Sequence, residues 1–478
     1  MEFLNAGKLM AAGRHVKAPF ALHVKRGDRI EPLQFTKVLR LLPAKRIVGV
    51  ATLAGREYLV KAYLGRSSGR YARRERSGVG LIVDAGVLTP ELMWHARLTD
   101  GQGEVLAFEY LTDAISMEDC WCHTQNNEKK AEILTRAMVI IGKLHNQGVV
   151  QNDIHLGNFL LSEQRLYTID GGDIVKRSAP PLSEKPSLRN LGMFFAQFYA
   201  RYDEFVELVL PAYESVRGWK TDGSRLAKIQ DDIRENREKR KQLCIKKAFR
   251  ECTRFVCNSS FSRFEVCERD ACTPGMQQLI ADPDKLIAQG ELLKDGNSST
   301  VALVKVDGKD YVIKRYNFKS LRHRVRRLFR RSRAWHSWAN ACRMEFLGIR
   351  AVRPVALIEE RFGPVRGVAY FVTEYVEGLD ALKLLHGLKN PHGEVEALSS
   401  LLLDLSESRI SHGDLKATNF VMSAEGPVIL DLDGMREHKN HDSFRRAFNR
   451  DVDRFMKNWQ DHPELADRFE GLLSDLSR

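Results

Sequence analysis

No stretch of the chain approaches the roughly 18 consecutive apolar residues that a membrane-spanning helix needs. The opening MEFLNAGKLMAAGRH also lacks the apolar centre of a secretory leader, so neither a spanning nor an exported protein is expected. Cysteine is scarce and scattered, eight in 478 residues. That is too little for a disulfide scaffold, and the expected compartment is a reducing cytoplasm. Cys252, Cys257, Cys267 and Cys272 are spaced C-x4-C, C-x9-C, C-x4-C. Zinc sites favour tighter knuckles, so free thiols are expected there. Acid falls short of base: 62 Asp and Glu stand against 75 Lys and Arg, for a net charge of +13. Such an excess calls for an anionic partner: nucleic acid, a membrane surface or a phosphorylated substrate. Zinc-finger spacing, an aromatic RNP motif and a helix-turn-helix signature are all missing, so nucleic acid is not expected. The six tryptophans are too dispersed to form a sugar-stacking platform.

The base is clustered. LRHRVRRLFRRSR (321–333) has almost no compensating acid and reads as an anion-binding or membrane-surface segment. RENREKRKQLCIKKAFR (234–250) reads as a solvated helix face. Apolar content of 43% and charged content of 29% are ordinary for a globular chain, and the length suits two to three domains, each able to bury a core. The longest greasy stretch, LGMFFAQFY (191–199), is short enough to be a core helix.

The chain repeats itself at long range. REYLVKAY (56–63) and KDYVIKRY (309–316) read as strands with a lysine near the end, Lys61 and Lys314. Helical segments ending at a glycine follow, at 70–90 and 333–354. Next come strands with a Glu-Tyr end, LAFEYL (106–111) and YFVTEYV (370–376), and amphipathic helices at 129–148 and 393–409. QNDIHLGN (151–158) and HGDLKATN (412–419) each hold an Asp and, five residues later, an Asn. Apolar strands then end in Asp170 and Asp431, twelve residues beyond Asn158 and Asn419 respectively. A repeat of this length is a duplicated domain and not a solenoid unit. Domain one is placed at 20–217, a charged helical connector at 218–250, and domain two at 251–478, opening with a hairpin at 253–268.

A strand lysine can hold nucleotide phosphates, and a helix glutamate can fix that lysine. A loop aspartate can accept a proton from a hydroxyl, while an Asn and a strand-end Asp can share a hard cation such as magnesium. Phosphoryl transfer divides its labour in this way. The paired motifs resemble the protein-kinase-like superfamily, which implies an α+β fold: two tandem domains, each with a small β-rich N-lobe and a helical C-lobe. The resemblance makes Asp153 and Asp414 the catalytic-loop bases. Asn158, Asp170, Asn419 and Asp431 become metal ligands for Mg2+, and Lys61, Glu75, Glu109, Gly296, Ser298, Ser299, Lys314 and Glu374 the ATP-binding set. An aspartate of the last helix, Asp451 or Asp453, would anchor the catalytic loop, and His145 at a helix end would be structural.

Within that superfamily the chain is similar to the lipopolysaccharide core heptose and Kdo kinase family. Neither catalytic loop carries the Arg of H-R-D, His155 suits small-molecule kinases, and no A-P-E segment follows Asp431. KDGNSSTVALVKVDGKDYVIKRYN (294–317) and RRSRAWHSWANA (330–341) resemble that family's amino lobe. The resemblance implies ATP- and Mg2+-dependent phosphorylation of a core sugar, heptose or Kdo. The partner would be a lipopolysaccharide core glycolipid, met at the inner face of the cytoplasmic membrane with help from anionic lipid. The alternatives are a pseudokinase or scaffold of core assembly and an atypical protein kinase.

The pattern departs from the family in places. KDGNSST has one glycine, Gly296, where protein kinases have three, although backbone N–H groups and the hydroxyls of Ser298, Ser299 and Thr300 can cradle phosphate. VGVATLAG (48–55) is read as the matching turn of domain one. Eleven residues before Gly86 stands Glu75, but eleven before Gly348 stands Ser337, with Glu345 nearer the helix end. Domain two is therefore expected to hold Lys314 differently, yet it is the more family-like of the two.

Overall fold

A computed structural model describes residues 2–317 and 330–473. The chain forms two compact units, Met1–Arg237 and Glu238–Arg478, and the boundary falls within the helix Gly223–Lys247. Most of the basic run 321–333 lies outside the described residues.

The first unit begins with a seven-stranded sheet. Along it run Glu2–Leu4, Phe20–Arg26, Arg29–Leu42, Arg46–Leu53, Arg56–Leu64, Gly103–Phe108 and Leu92–Leu98. Phe20–Arg26 also pairs with Leu92–Leu98, Val24 facing Leu98, so the sheet curls back on itself. Alternation drives it: Phe20, Leu22, Val24, Leu33 and Phe35 all point into one apolar core. The tight turn Ala54–Gly55, both at positive φ, reverses the chain into the strand that carries Lys61. The helix Ser68–Asp84 buries Ala72, Glu75, Gly78 and Ile82 along one face. Gly78 is required there, because a Cβ would stand 1.8 Å from the carbonyl oxygen of Gly171. Only a glycine lets this helix touch the turn after Asp170.

Helices Asn127–Asn146, Glu184–Phe195 and Phe205–Arg217 build the rest of the unit around Met138, Ile141, Leu191, Phe194 and Phe195. Of the greasy segment 191–199, residues 191–195 end a core helix, and the rest turns away from it, with Tyr199 exposed. The solvated-face reading of 234–250 is incomplete. Helix Gly223–Lys247 buries Ile229 and Ile233, and Arg237, one turn beyond Ile233, forms a bidentate pair with Asp203.

His145 ends the helix Asn127–Asn146 and is fully buried. Its Nδ1 lies 2.8 Å from the Tyr213 hydroxyl and its Nε2 3.0 Å from Asn190 Oδ1, while Asn190 donates to the Gln151 carbonyl. Burial pushes the imidazole down to about 3, outweighing the Asn190 hydrogen bond. The unfolded chain therefore takes up a proton near pH 6.5 that the folded chain refuses until about 3. Stability should be full above pH 6.5 and fall by about 1.4 kcal/mol per pH unit below it. Urea unfolding at pH 7, 6 and 5 measures this slope, and His145→Gln should reduce it; an unchanged slope would contradict the assignment.

The second unit opens with the hairpin Phe255–Ser259 and Arg263–Glu268, within the stretch expected. Its sheet continues through Pro354–Phe362, Val365–Glu374, Lys309–Tyr316, Ser299–Val306 and Glu291–Gly296. Asp307–Gly308, both at positive φ, make the tight turn into the Lys314 strand. Helix Arg333–Leu347 and the short helices Pro274–Ala281 and Pro283–Gln289 lie against the sheet, and helices Ala381–Gly387, His392–Glu407, His441–Met456 and Pro463–Leu473 follow it. Its core joins Trp338, Phe420, Phe448, Phe455, Trp459 and Phe469. Cys252, Cys257, Cys267 and Cys272 are free thiols, and among the described residues no His, Cys, Asp and Glu cluster could hold a metal by itself.

Candidate active site

In the second unit, Lys314 sits on a central strand, paired with Val301 on one side and Phe371 on the other. Its Nζ is 2.5 Å from Asp431 Oδ1. Asp431 follows the strand Gly426–Ile429 and is left-handed, at φ 52° and ψ 62°. A non-glycine residue pays for that conformation, and such strain concentrates at functional positions. Burial alone would raise the Asp431 carboxyl, but the Lys314 ammonium holds it below its ordinary value. Asp433 behaves the other way: burial, then the neighbouring Asp431 charge, raises it, although Arg333 Nε lies 2.6 Å from its Oδ2.

The loop 412–419 is closed from inside. Asn419 Nδ2 donates to the Asp414 carbonyl at 2.8 Å, leaving the amide oxygen of Asn419 uncommitted by that bond. Asp451, 2% exposed, accepts from the His412 N–H at 2.7 Å and from the Gly413 N–H at 3.0 Å. Of the two aspartates expected to anchor the loop, Asp451 does so, and Asp453 is exposed. His412 Nε2 lies 3.2 Å from the Leu430 carbonyl. The Asp414 carboxylate is flanked by Lys416 at 3.1 Å and Arg454 at 3.3 Å.

The first unit repeats this arrangement and alters it. Asn158 Nδ2 donates to the Asp153 carbonyl at 2.7 Å, and Asp170 is again left-handed, at φ 62°. Gln151 takes the place of His412, its Nε2 reaching the Ile169 carbonyl at 3.2 Å. Lys61 lies 2.5 Å from Glu75 Oε1 and 2.8 Å from Asp170 Oδ1. Despite burial, which lowers it, Lys61 is raised by those two charges. Glu75 Oε2 also accepts from Tyr63 OH at 3.1 Å and from the Gly172 N–H at 2.9 Å. Asp170 meets two more cations, Arg40 at 3.7 Å and Arg46 at 4.0 Å. Burial opposes the effect, but Lys61, then Arg46 and Arg40, pull its carboxyl down to about 2.

The helix glutamate is absent from the second unit, as its spacing indicated. Ser337 stands there and hydrogen-bonds Tyr316 OH at 2.7 Å, where the first unit has Tyr63 and Glu75. Glu345 turns to Arg254 at 2.7 Å. Arg333 was missed as a site residue. It opens the helix, meets Asp433 and donates to the Ser298 carbonyl at 3.1 Å. The sequence marked it only as part of a basic run.

Gly296 and Ser299 face each other across a hairpin turn, and Asn317 Nδ2 and Arg333 Nη1 hold the Gly296 and Ser298 carbonyls. Ser299 is buried. The reading of 48–55 as the equivalent turn in the first unit is wrong. Residues 48–53 lie within a strand, and Ala54–Gly55 corresponds to Asp307–Gly308, one strand later. The equivalent turn is Pro43–Lys45, which has no glycine: Ala44 takes the positive φ, 57°, and Arg46 follows it towards Asp170. Glu109 and Glu374 lie at strand ends, and among the described residues neither pairs with Lys61 or Lys314. Glu109 is exposed, and Glu374 Oε1 pairs with Arg353 at 3.4 Å.

Residues 278–468 match the model of the lipopolysaccharide kinase (Kdo/WaaP) family. Among solved structures, WaaP in complex with acyl carrier protein matches at 20% identity with a TM-score of 0.31. The match covers 42% of this chain and 88% of that one. Vaccinia related kinase 3 matches at 11% identity and a TM-score of 0.25, covering 36% of this chain and 56% of that one. No curated protein matches the chain. Residues 278–468 are thus similar to the lipopolysaccharide kinase (Kdo/WaaP) family, a match that supports a phosphotransferase of the kinase class.

Proposed function

We propose that this chain transfers the terminal phosphate of ATP to a sugar hydroxyl, heptose or Kdo, of a lipopolysaccharide core intermediate. In this reading its two units are tandem kinase-like domains. The observation that carries the proposal is the coincidence, inside the family match, of the Lys314–Asp431 contact with the Asn419-closed loop that presents Asp414. Lys314 and the backbone of the 296–299 turn would hold nucleotide phosphates. Asn419, through its amide oxygen, and Asp431 are hard oxygen donors that fit magnesium. When bound, that ion supplies neutralisation of phosphate charge. Asp414 accepts the acceptor's proton and orients its oxygen, held in place by Arg454 and Lys416. Asp451 keeps the loop backbone in that position.

Catalysis is assigned to the second unit. In the first, Asp170 already faces three cations, one of them, Arg46, at the start of the strand after a glycine-free turn. That observation favours a second reading for the first unit alone, a regulatory or scaffolding partner. An atypical protein kinase is disfavoured, because only one helical turn, Leu432–Gly434, and a short strand, Arg436–Glu437, separate Asp431 from the helix beginning at His441. Little chain remains there for docking a peptide. Work at the inner membrane face belongs to the same proposal, supported by the basic composition of 321–333.

The test is transfer of labelled γ-phosphate to truncated core glycolipids bearing heptose and Kdo, by wild type and by the Asp153→Ala, Asp414→Ala double variant. Label should enter the sugar in wild type only. Label confined to protein Ser, Thr or Tyr, or transfer that survives the double substitution, would overturn the reading.

A further inference from the structure

Beside the catalytic loop of the second unit lies an open groove of about 820 Å³. That is within the range of small-ligand pockets, roughly 300–1,000 Å³. Gly413 and Gly434 line its inner end, and helix His441–Met456 forms one side. Its charge is one-sided. Arg436, Arg446, Arg450 and Arg454 all line it. Its two carboxylates are committed elsewhere. Glu437 pairs with Lys241 and, at 3.1 Å, with Arg343, and Asp451 accepts the loop N–H groups.

Among the described residues, no side-chain hydrogen bond or ion pair engages Arg436, Arg446 or Arg450. Arg446, Arg450 and Arg454 are four residues apart along one helix. Like charges at that spacing repel, so the free protein carries a cost that a bound anion would relieve. The ladder leads to the reaction centre: Arg454 donates to the Gly413 carbonyl at 2.6 Å and reaches Asp414 Oδ1 at 3.3 Å.

We propose that this groove binds a negatively charged group of the acceptor, a phosphate or carboxylate, and so sets which hydroxyl meets Asp414. The inference rests on the kinase reading above and deepens it, since the groove selects acceptors that are already anionic. Arginine suits the task because its planar fork meets phosphate and carboxylate oxygens in pairs. The same chemistry could serve a lipid headgroup, so the test must separate the two sources.

The probes are mannose 6-phosphate, mannose and phosphatidylglycerol vesicles. Each is titrated into the full chain with its nucleotide sites saturated by ADP, in wild type and in Arg446→Glu, Arg450→Glu. Both arginines are exposed, so the fold should survive. The sugar phosphate should bind wild type and weaken roughly tenfold or more in the variant, while mannose binds neither and vesicle binding is unchanged. Arg446→Lys, Arg450→Lys should retain most of the binding. Loss of vesicle binding alone would make the groove a headgroup site and overturn the proposal, as would sugar-phosphate binding equal in all variants. Because no turnover is read, a chain that binds as expected but transfers no phosphate would keep the groove and sink the kinase reading.

Discussion

Asp414→Asn should lower acceptor-dependent turnover by roughly 10²–10⁴-fold, the usual contribution of a positioned proton acceptor, while ATP still binds. The substitution keeps the side chain's size and leaves the Asn419 bond to the residue 414 carbonyl in place. The loss is therefore chemical and not structural. Its size has an upper bound for a physical reason. Phosphoryl transfer passes through a loose transition state in which positioning and charge neutralisation dominate, and the base mainly orients the nucleophile. Asp153→Asn should leave most of the turnover intact, because the cluster of the first unit is closed by Lys61, Arg40 and Arg46 around Asp170. Steady-state kinetics on both variants decides. Full activity in Asp414→Asn, with loss only in Asp153→Asn, would move catalysis to the first unit.

Asp451→Ala should destabilise the chain by about 2–4 kcal/mol, since it strips two N–H groups of the loop 412–419, one of them buried, of their acceptor. Those groups belong to His412 and Gly413, on either side of the turn that presents Asp414. The effect should appear twice, as a lower urea midpoint and as a fall in turnover, because a relaxed loop no longer holds Asp414. Asp453→Ala is the control: it is exposed on the same helix, and its substitution should stay within about 0.5 kcal/mol. Equal stability of the two variants would mean that the anchor does not hold the loop.

That pair also shows what the sequence could have revealed. Phe444, Phe448, Asp451 and Phe455 fall at helical spacing and are buried together. The phase of the apolar stripe alone would have chosen Asp451 over Asp453. Other features were plain from the start. The strand Lys309–Tyr316 begins and ends where its alternation and the Asp-Gly turn place it. The Asn-to-Asp interval is the same in both halves, and both aspartates land in the left-handed region.

What misled was glycine used as a marker of the phosphate-facing turn. Ala44 adopts the positive φ without being glycine, so the turn at Pro43–Lys45 carried no signal, and a strand segment was matched in its place. The partners of Arg333 and Arg46 were equally hidden. A long cationic side chain meets whichever carboxylate the fold brings near, and here those are Asp433 and Asp170, 100 and 124 residues away in sequence. The replacement of the helix glutamate by Ser337 was legible by counting, but its hydrogen bond to Tyr316 was not.

Calorimetric titration of Mg2+-ATP into wild type, Lys61→Met and Lys314→Met tests the assignment of the working site most directly. A magnesium-dependent binding event present in wild type and in Lys61→Met, and lost in Lys314→Met, is the expected result. An event that survives Lys314→Met and disappears in Lys61→Met would place the nucleotide in the first unit and contradict the assignment.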